Sequence, residues 1–294
     1  MRFAETRLAS FRCGQAERRI HVWEPTTEPA TPATPATPRA VILAIHGGMA
    51  HEGDYVTPAL YFRQHGIATV AYDLCSHQDA RRVDIPGFDV FLDDSALFLQ
   101  WVKREYPGVP AYVMGHSMGA LIATHLGLGR FAGEAAIRGF ILSSPYYVNA
   151  IKVSPVLLAL GGVLGALAPR MKVPLAPLTD VLTHDRAITA RHHADERDGV
   201  RATEITVRFG NALTAAQRGL AARMPAWTQP LYAVVAGDDK LADADASEAM
   251  LKSVPAALLT YRRHPQNYHE NFNELNREEI FADILNWMRL PAAG

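Results

Sequence analysis

Ala111-Tyr112-Val113-Met114-Gly115-His116-Ser117-Met118-Gly119-Ala120-Leu121-Ile122 decides the fold. An apolar run ends at a serine flanked by glycines at i−2 and i+2, and a small-residue helical pattern follows at once. A strand that turns directly into a helix holds its central residue in a strained conformation. A Cβ at Gly115 or Gly119 would collide with the neighbouring strand or helix, so both positions need glycine. The turn exposes the Ser117 hydroxyl at the carboxyl edge of a sheet. The Met118 NH, at the start of the helix, points at the reacting oxygen. The same spacing occurs in Gly-rich helix starts with a capping serine; the strand before it and the helix after it favour a nucleophile.

Upstream, Ala40 to Ile45 reads as a buried strand running into His46-Gly47-Gly48-Met49-Ala50-His51. A Gly pair after a strand lets backbone NH groups approach a ligand closely, which makes Gly48 a candidate oxyanion donor. His46 and His51 lack a third ligand at metal-type spacing and are expected to shape this loop by hydrogen bonds. Helices at 55–65 and 88–106 alternate with strands at 67–73 and 111–116, and a strand at 137–143 follows. This rhythm predicts an α/β fold with a mostly parallel, doubly wound sheet and helices on both faces. Before it, residues 1–24 read as two short strands. The repeated Pro-Ala-Thr of 28–38 reads as an extended loop.

The alternation breaks near Tyr146. Ile151 to Pro177 is very apolar, with a Gly-interrupted run at Val156 to Leu167, which suits a lid over a greasy pocket and also fits a buried core helix; 179–224 reads as helical and without strands. The expected organisation is a core of 1–146 and 226–294 interrupted by a helical cap at 147–225. Alternation resumes at 230–237, continues through a helix at 246–254 and a strand at 257–262, and ends with a helix at 274–288.

The 294 residues carry a formal charge of −1, with 49% apolar and 20% charged residues. That is one globular α/β chain with a large core and no basic field for nucleic acid. Cys13 and Cys75 have no metal-type spacing and suit free thiols in a reducing, cytoplasmic setting. The first 13 residues lack an apolar signal region, and no run is long enough to span a membrane.

A serine becomes nucleophilic when a histidine takes its proton and an acid orients that histidine. In doubly wound hydrolases these follow in the order Ser, acid, His. Asp239, in Gly237-Asp238-Asp239-Lys240-Leu241 just past a strand, is the favoured acid; Asp238 and Asp243 compete with it. His269, between the last strand and the last helix, is the favoured base, with His264 second. His192 and His193 fall in the cap and are expected to face solvent.

Together, His46-Gly47-Gly48…Tyr55, Gly115-His116-Ser117-Met118-Gly119, the 237–241 loop and Tyr268-His269-Glu270 resemble the monoacylglycerol lipase and lysophospholipase branch of the α/β-hydrolases. The likeness covers nearly all of the chain beyond residue 40. It implies the α/β-hydrolase fold with an inserted cap, a Ser117–Asp239–His269 triad, and an oxyanion hole from the NH groups of Gly48 and Met118. The chain departs from the branch at Leu74-Cys75-Ser76-His77-Gln78, where many members have Gly-His-Gly-x-Ser. It departs again at Met49-Ala50-His51-Glu52, where many have Gly-Glu-His-Ser. Both sites lie near the expected pocket rim and bear on substrate choice.

The expectation is a cofactor-free serine ester hydrolase that cleaves an acyl ester through an acyl-enzyme. Its substrate would be a monoacylglycerol, a lysophospholipid or a simple fatty ester, with the lid touching a membrane or micelle surface. Alternatives with the same triad are a short-chain carboxylesterase and an amidase, thioesterase or peptidase. A binding protein on a dead hydrolase scaffold would be expected to lack a triad member. Ser117 at the elbow excludes an Asp nucleophile.

Overall fold

Apolar runs without a polar face belong where both sides of a sheet are covered. The computed structural model describes residues 2–25, 37–77, 82–151, 164–174 and 177–290. Its strands are β1 (Arg7–Cys13), β2 (Ala16–Trp23), β3 (Ala40–Ile45), β4 (Ile67–Tyr72), β5 (Arg82–Val83), β6 (Ala111–His116), β7 (Ile137–Ser143), β8 (Lys172–Pro174), β9 (Glu204–Thr206), β10 (Leu231–Ala236) and β11 (Leu259–His264). Eight of them form one sheet in the order β1-β2-β4-β3-β6-β7-β10-β11. β2 runs antiparallel to both β1 and β4, and the remaining neighbours are parallel. β3, β4 and β10 are buried along their whole length.

The helices are α1 (Val56–Gln64), α2 (Asp89–Glu105), α3 (Met118–Gly127), α4 (Arg186–Arg197), α5 (Val207–Gln217), α6 (Ala244–Leu251) and α7 (Arg277–Met288). Because side chains alternate along a strand, β3 feeds two cores. Val41, Leu43 and Ile45 join Phe98 of α2 and Leu121 of α3; Ala40, Ile42 and Ala44 join Phe62 of α1 and Phe281 of α7. The doubly wound sheet expected from the alternation is therefore present.

The structure differs from the sequence reading between β7 and β10. That region holds α4 and α5 as expected, but also β8 and β9. These pair with β5 in a second sheet of order β5-β9-β8. Three residues, Glu204-Ile205-Thr206, are too few to show alternation, and β5, their parallel partner, lies some 120 positions earlier. Residues 26–36, most of the Pro-Ala-Thr repeat, and residues 152–163 and 175–176 of the expected lid stretch 151–177 lie outside the described residues. Among the described residues no helix is long and apolar enough to cross a membrane.

β6, β3 and the start of α3 meet backbone to backbone. A Cβ on Gly119 would overlap the carbonyl oxygens of Ile45 and His46, and one on Gly115 would overlap the Gly119 carbonyl. By contrast, a Cβ on Gly87 meets nothing within 4 Å. Gly119→Ala is expected to lower unfolding free energy by more than about 3 kcal/mol, or to prevent folding, while Gly87→Ala stays within about 0.5 kcal/mol. Urea unfolding of the two variants measures the difference.

Candidate active site

Ser117 sits between β6 and α3 with φ 55° and ψ −118°, the strained turn that the flanking glycines make room for. Its NH donates to the Ser143 carbonyl at 2.9 Å and its carbonyl accepts from Tyr146 at 3.2 Å, fixing the turn to the end of β7. The Met118 NH, first in α3, has no intrahelical acceptor. Gly48 lies alongside: a Cβ there would stand 3.6 Å from Met118 Sδ. The loop that carries Gly48 is held by His46, whose Nδ1–H donates to Gly47 O at 2.8 Å while Nε2 accepts from Leu74 N at 3.1 Å.

Asp239 follows β10. Its Oδ1 accepts from the NH groups of Leu241 at 2.8 Å and Ala242 at 3.0 Å, which leaves Oδ2 for His269 Nδ1 at 2.7 Å. A proton on Nδ1 makes Nε2 the basic atom of the ring. His269 Nε2 is buried and has no hydrogen-bond partner among the described residues. Burial works against the Asp239 charge, but His269 and the two NH groups outweigh it and hold the carboxyl below its ordinary range. Burial likewise opposes a charged His269, yet Asp239 outweighs it and raises the imidazole pKa above 6.5.

Ser117, Met118, Gly48 and His269 line one cavity of about 490 Å³. Its apolar side includes Leu182, Ile205, Phe209, Leu213 and Leu241; its polar side includes Asp54, Arg201, Glu270 and Asn273. Asp239 is tied to this cavity through His269. The competing residues go elsewhere. Asp238 is half-exposed and pairs with Lys240, Asp243 caps α6 by accepting from Ala246 N at 2.9 Å, and His264 meets Asn276 at 3.1 Å away from the cavity.

Sequence reasoning placed His192 in solvent; the structure buries it completely. It lies on α4 between Glu270, at 2.9 Å from Nε2, and Arg201, at 2.9 Å from Nδ1. Both partners are distant in the chain or on another element, so helical periodicity gave no sign of them. His193, on the same helix, is indeed partly exposed and pairs with Asp180 and Glu196. Sequence reasoning also missed that His51 meets Asp54 and Asp195, with one ligand atom from each within 4.8 Å of the others. Guanidinium groups already neutralise this cluster: Arg201 at 2.6 Å and Arg191 at 3.4 Å from Asp54, and Arg2 at 2.6 Å from Asp195. Ser76 takes φ 63°, and its Oγ accepts from Asp84 N at 3.0 Å.

The family described as serine aminopeptidase, S33, matches residues 36–276. The chain belongs to that family of α/β-hydrolases. It is 29% identical over 270 residues to a monoacylglycerol lipase of Mycolicibacterium smegmatis, covering 91% of both chains. It is 30% identical to phospholipase YtpA of Bacillus subtilis over 82% of this chain and 92% of that one. A solved structure of Saccharomyces cerevisiae monoglyceride lipase, in complex with a substrate analog, superposes with a TM-score of 0.80 at 17% identity, covering 96% of this chain and 94% of that one. These likenesses place the chain in the monoacylglycerol lipase branch, as a carboxylic ester hydrolase.

His46 and His116 line the cavity, and His77 packs against the His46 ring at 5.1 Å between centroids. Burial lowers the pKa of His46 to about 4, of His116 to about 4 and of His77 to about 3. The unfolded chain takes up protons on them from about pH 6.5 downward, whereas the folded chain resists until about pH 4 or below. The stability that these three histidines contribute is therefore undiminished above pH 6.5 and falls as the pH drops toward 4. Thermal melts between pH 7.5 and 4 should show Tm descending through that window, and His77→Phe should flatten the descent.

Proposed function

We propose that the chain hydrolyses acyl esters of lipids, of the monoacylglycerol or lysophospholipid type, through a Ser117–His269–Asp239 triad. What carries this reading is His269, tied to Asp239 at 2.7 Å by one ring nitrogen and unpaired at the other, in the cavity that Ser117 lines. Ser117 Oγ attacks the ester carbonyl as His269 Nε2 takes its proton. The NH groups of Gly48 and Met118 hold the developing oxyanion, each worth roughly 10²–10³ in rate. The imidazolium returns the proton to the departing alcohol, and water activated by His269 then cleaves the acyl-enzyme.

Residues 147–225 serve as the cap, since Leu182, Ile205, Phe209 and Leu213 supply much of the apolar cavity lining. That lining suits a fatty acyl chain, and the names of the similar lipases and phospholipase agree with it. Leu167, Met171 and Val173 are exposed and suit contact of the cap with a micelle or membrane surface. Cys13 and Cys75 are free, which suits the cytoplasm.

A p-nitrophenyl ester series from acetate to long acyl chains tests the substrate reading. Turnover should peak well beyond two carbons and extend to monoacylglycerol; an optimum at acetate would replace the lipid reading with a short-chain esterase. Ser117→Ala should lose at least about 10⁴-fold in kcat. Since His269 must be neutral to accept a proton, kcat/KM should rise with pH through a midpoint above 6.5.

A further inference from the structure

Glu270 directly follows the proposed base and lines the same cavity. Its carboxylate is buried, with Oε2 accepting from Asn273 Nδ2 at 2.7 Å and meeting His192 Nε2 at 2.9 Å. Its backbone NH donates to the Leu182 carbonyl at 2.8 Å. Behind His192, Arg201 Nη2 donates to Nδ1 at 2.9 Å and to Asp54 Oδ2 at 2.6 Å. With Nδ1 accepting, His192 donates from Nε2 to Glu270. A continuous hydrogen-bonded path thus runs from Asp54, on the loop after β3, through Arg201 and His192 to Glu270. The neighbouring Ala202 NH donates to Met49 O at 3.1 Å, just past Gly48, so the path is anchored at both ends of the cavity.

Proton transfer from Ser117 needs none of these side chains. Removing a carboxylate from water is costly, and Glu270 is held ionised one residue from His269, in the lining of the same cavity, where an imidazole must become cationic. We propose that Glu270 is a positioning residue for His269: its fixed carboxylate, with that of Asp239, favours the imidazolium, and His192 and Arg201 hold it in place. The inference rests on the reading of His269 as the base.

The charged and titratable groups around His269 are Asp239 from the loop after β10 and His116 from the end of β6, both in contact with its ring, and Glu270, next in the chain and lining the same cavity. His116 is tilted against the His269 ring at 4.8 Å between centroids. Beyond Glu270 stand His192 on α4, Arg201 and Asp54. Burial acts to keep His269 neutral, while Asp239 and then Glu270 act the other way. His192 and Arg201 outweigh the burial of Glu270 and keep it ionised well below the usual carboxylate range. The second carboxylate is thus charged wherever the enzyme works.

The rate of fluorophosphonate labelling, followed from pH 5 to 9 on the full chain, reads the protonation of the base directly. Glu270→Gln preserves shape and one acceptor while removing the charge. Its labelling midpoint should move down by roughly half a pH unit or more, and Glu270→Asp should bring it back toward wild type. Measuring the folded fraction at each pH by circular dichroism and dividing the labelling rate by it separates the midpoint from acid unfolding. If the single variant does not fold, Glu270→Leu with His192→Phe removes both members of the pair together, and the same downward move is expected. A midpoint that stays put or rises, whatever happens to Tm, overturns the proposal and leaves Glu270 as a structural tie. Label that persists in Ser117→Ala instead overturns the triad reading, a failure visible in the parent protein.

Discussion

The backbone contact between α3 and β3 leaves no room for a side chain. The carbonyls of Ile45 and His46 occupy the place of a Gly119 Cβ, and the Gly119 carbonyl occupies that of a Gly115 Cβ. Those same carbonyls lead into Gly47 and Gly48. One close approach therefore sets two things together: the strained turn at Ser117 and the position of Gly48 against Met118. Tyr55 reinforces the junction, its hydroxyl donating to Ile45 O at 2.9 Å within the buried core. Strain at a positive φ costs about 1–3 kcal/mol and persists only when its surroundings over-determine it. Here the neighbouring strands, buried on both faces, supply that constraint.

Charge organises the opposite side of the cavity. Asp54, Asp195 and Glu270 would be costly to bury alone, and each is met by partners from another part of the chain: Arg201 and Arg191, Arg2 and His51, and His192. Buried pairs of this kind contribute little net stability compared with an apolar replacement, but losing one member leaves an uncompensated charge. They therefore specify an arrangement more than they strengthen the fold. The segment between β7 and α4 adds to this: Thr183 Oγ1 donates to Asn273 O at 2.8 Å and His184 meets Glu274 at 2.9 Å. The loop bearing His269 is consequently shaped by residues that the sheet does not contain.

The features legible in the sequence share a cause, which is that their determinants are local. The strand, elbow and helix around Ser117 announce themselves within twelve residues, and fully apolar runs such as Ala40 to Ile45 mark the sheet centre because burial on both faces leaves no alternative pattern. The loop after β10 could be read because the Gly-Asp-Asp spacing follows directly from the strand. Features that eluded sequence reading depend on partners far along the chain. β9 owes its existence to β5 and β8, and His192 owes its burial to Glu270, 78 positions away. Helical periodicity on α4 shows polar residues on most faces, and nothing in it distinguishes a solvated histidine from one clamped between two charges.

Three imidazoles line this cavity, and their surroundings separate their roles. His46 and His116 are pushed to about 4 by burial, without a carboxylate bonded to either ring. His269 is buried as well, yet its pKa is raised, because Asp239 bonds its Nδ1 directly. Proximity in sequence would favour His116, the immediate neighbour of Ser117, as the base. A group that stays neutral down to pH 4 is too weakly basic to draw a proton from a serine hydroxyl at neutral pH. The imidazole that can do so is the one whose cationic form the protein stabilises in advance, and this is why the acid 30 residues before His269 matters more to the chemistry than the histidine next to the nucleophile.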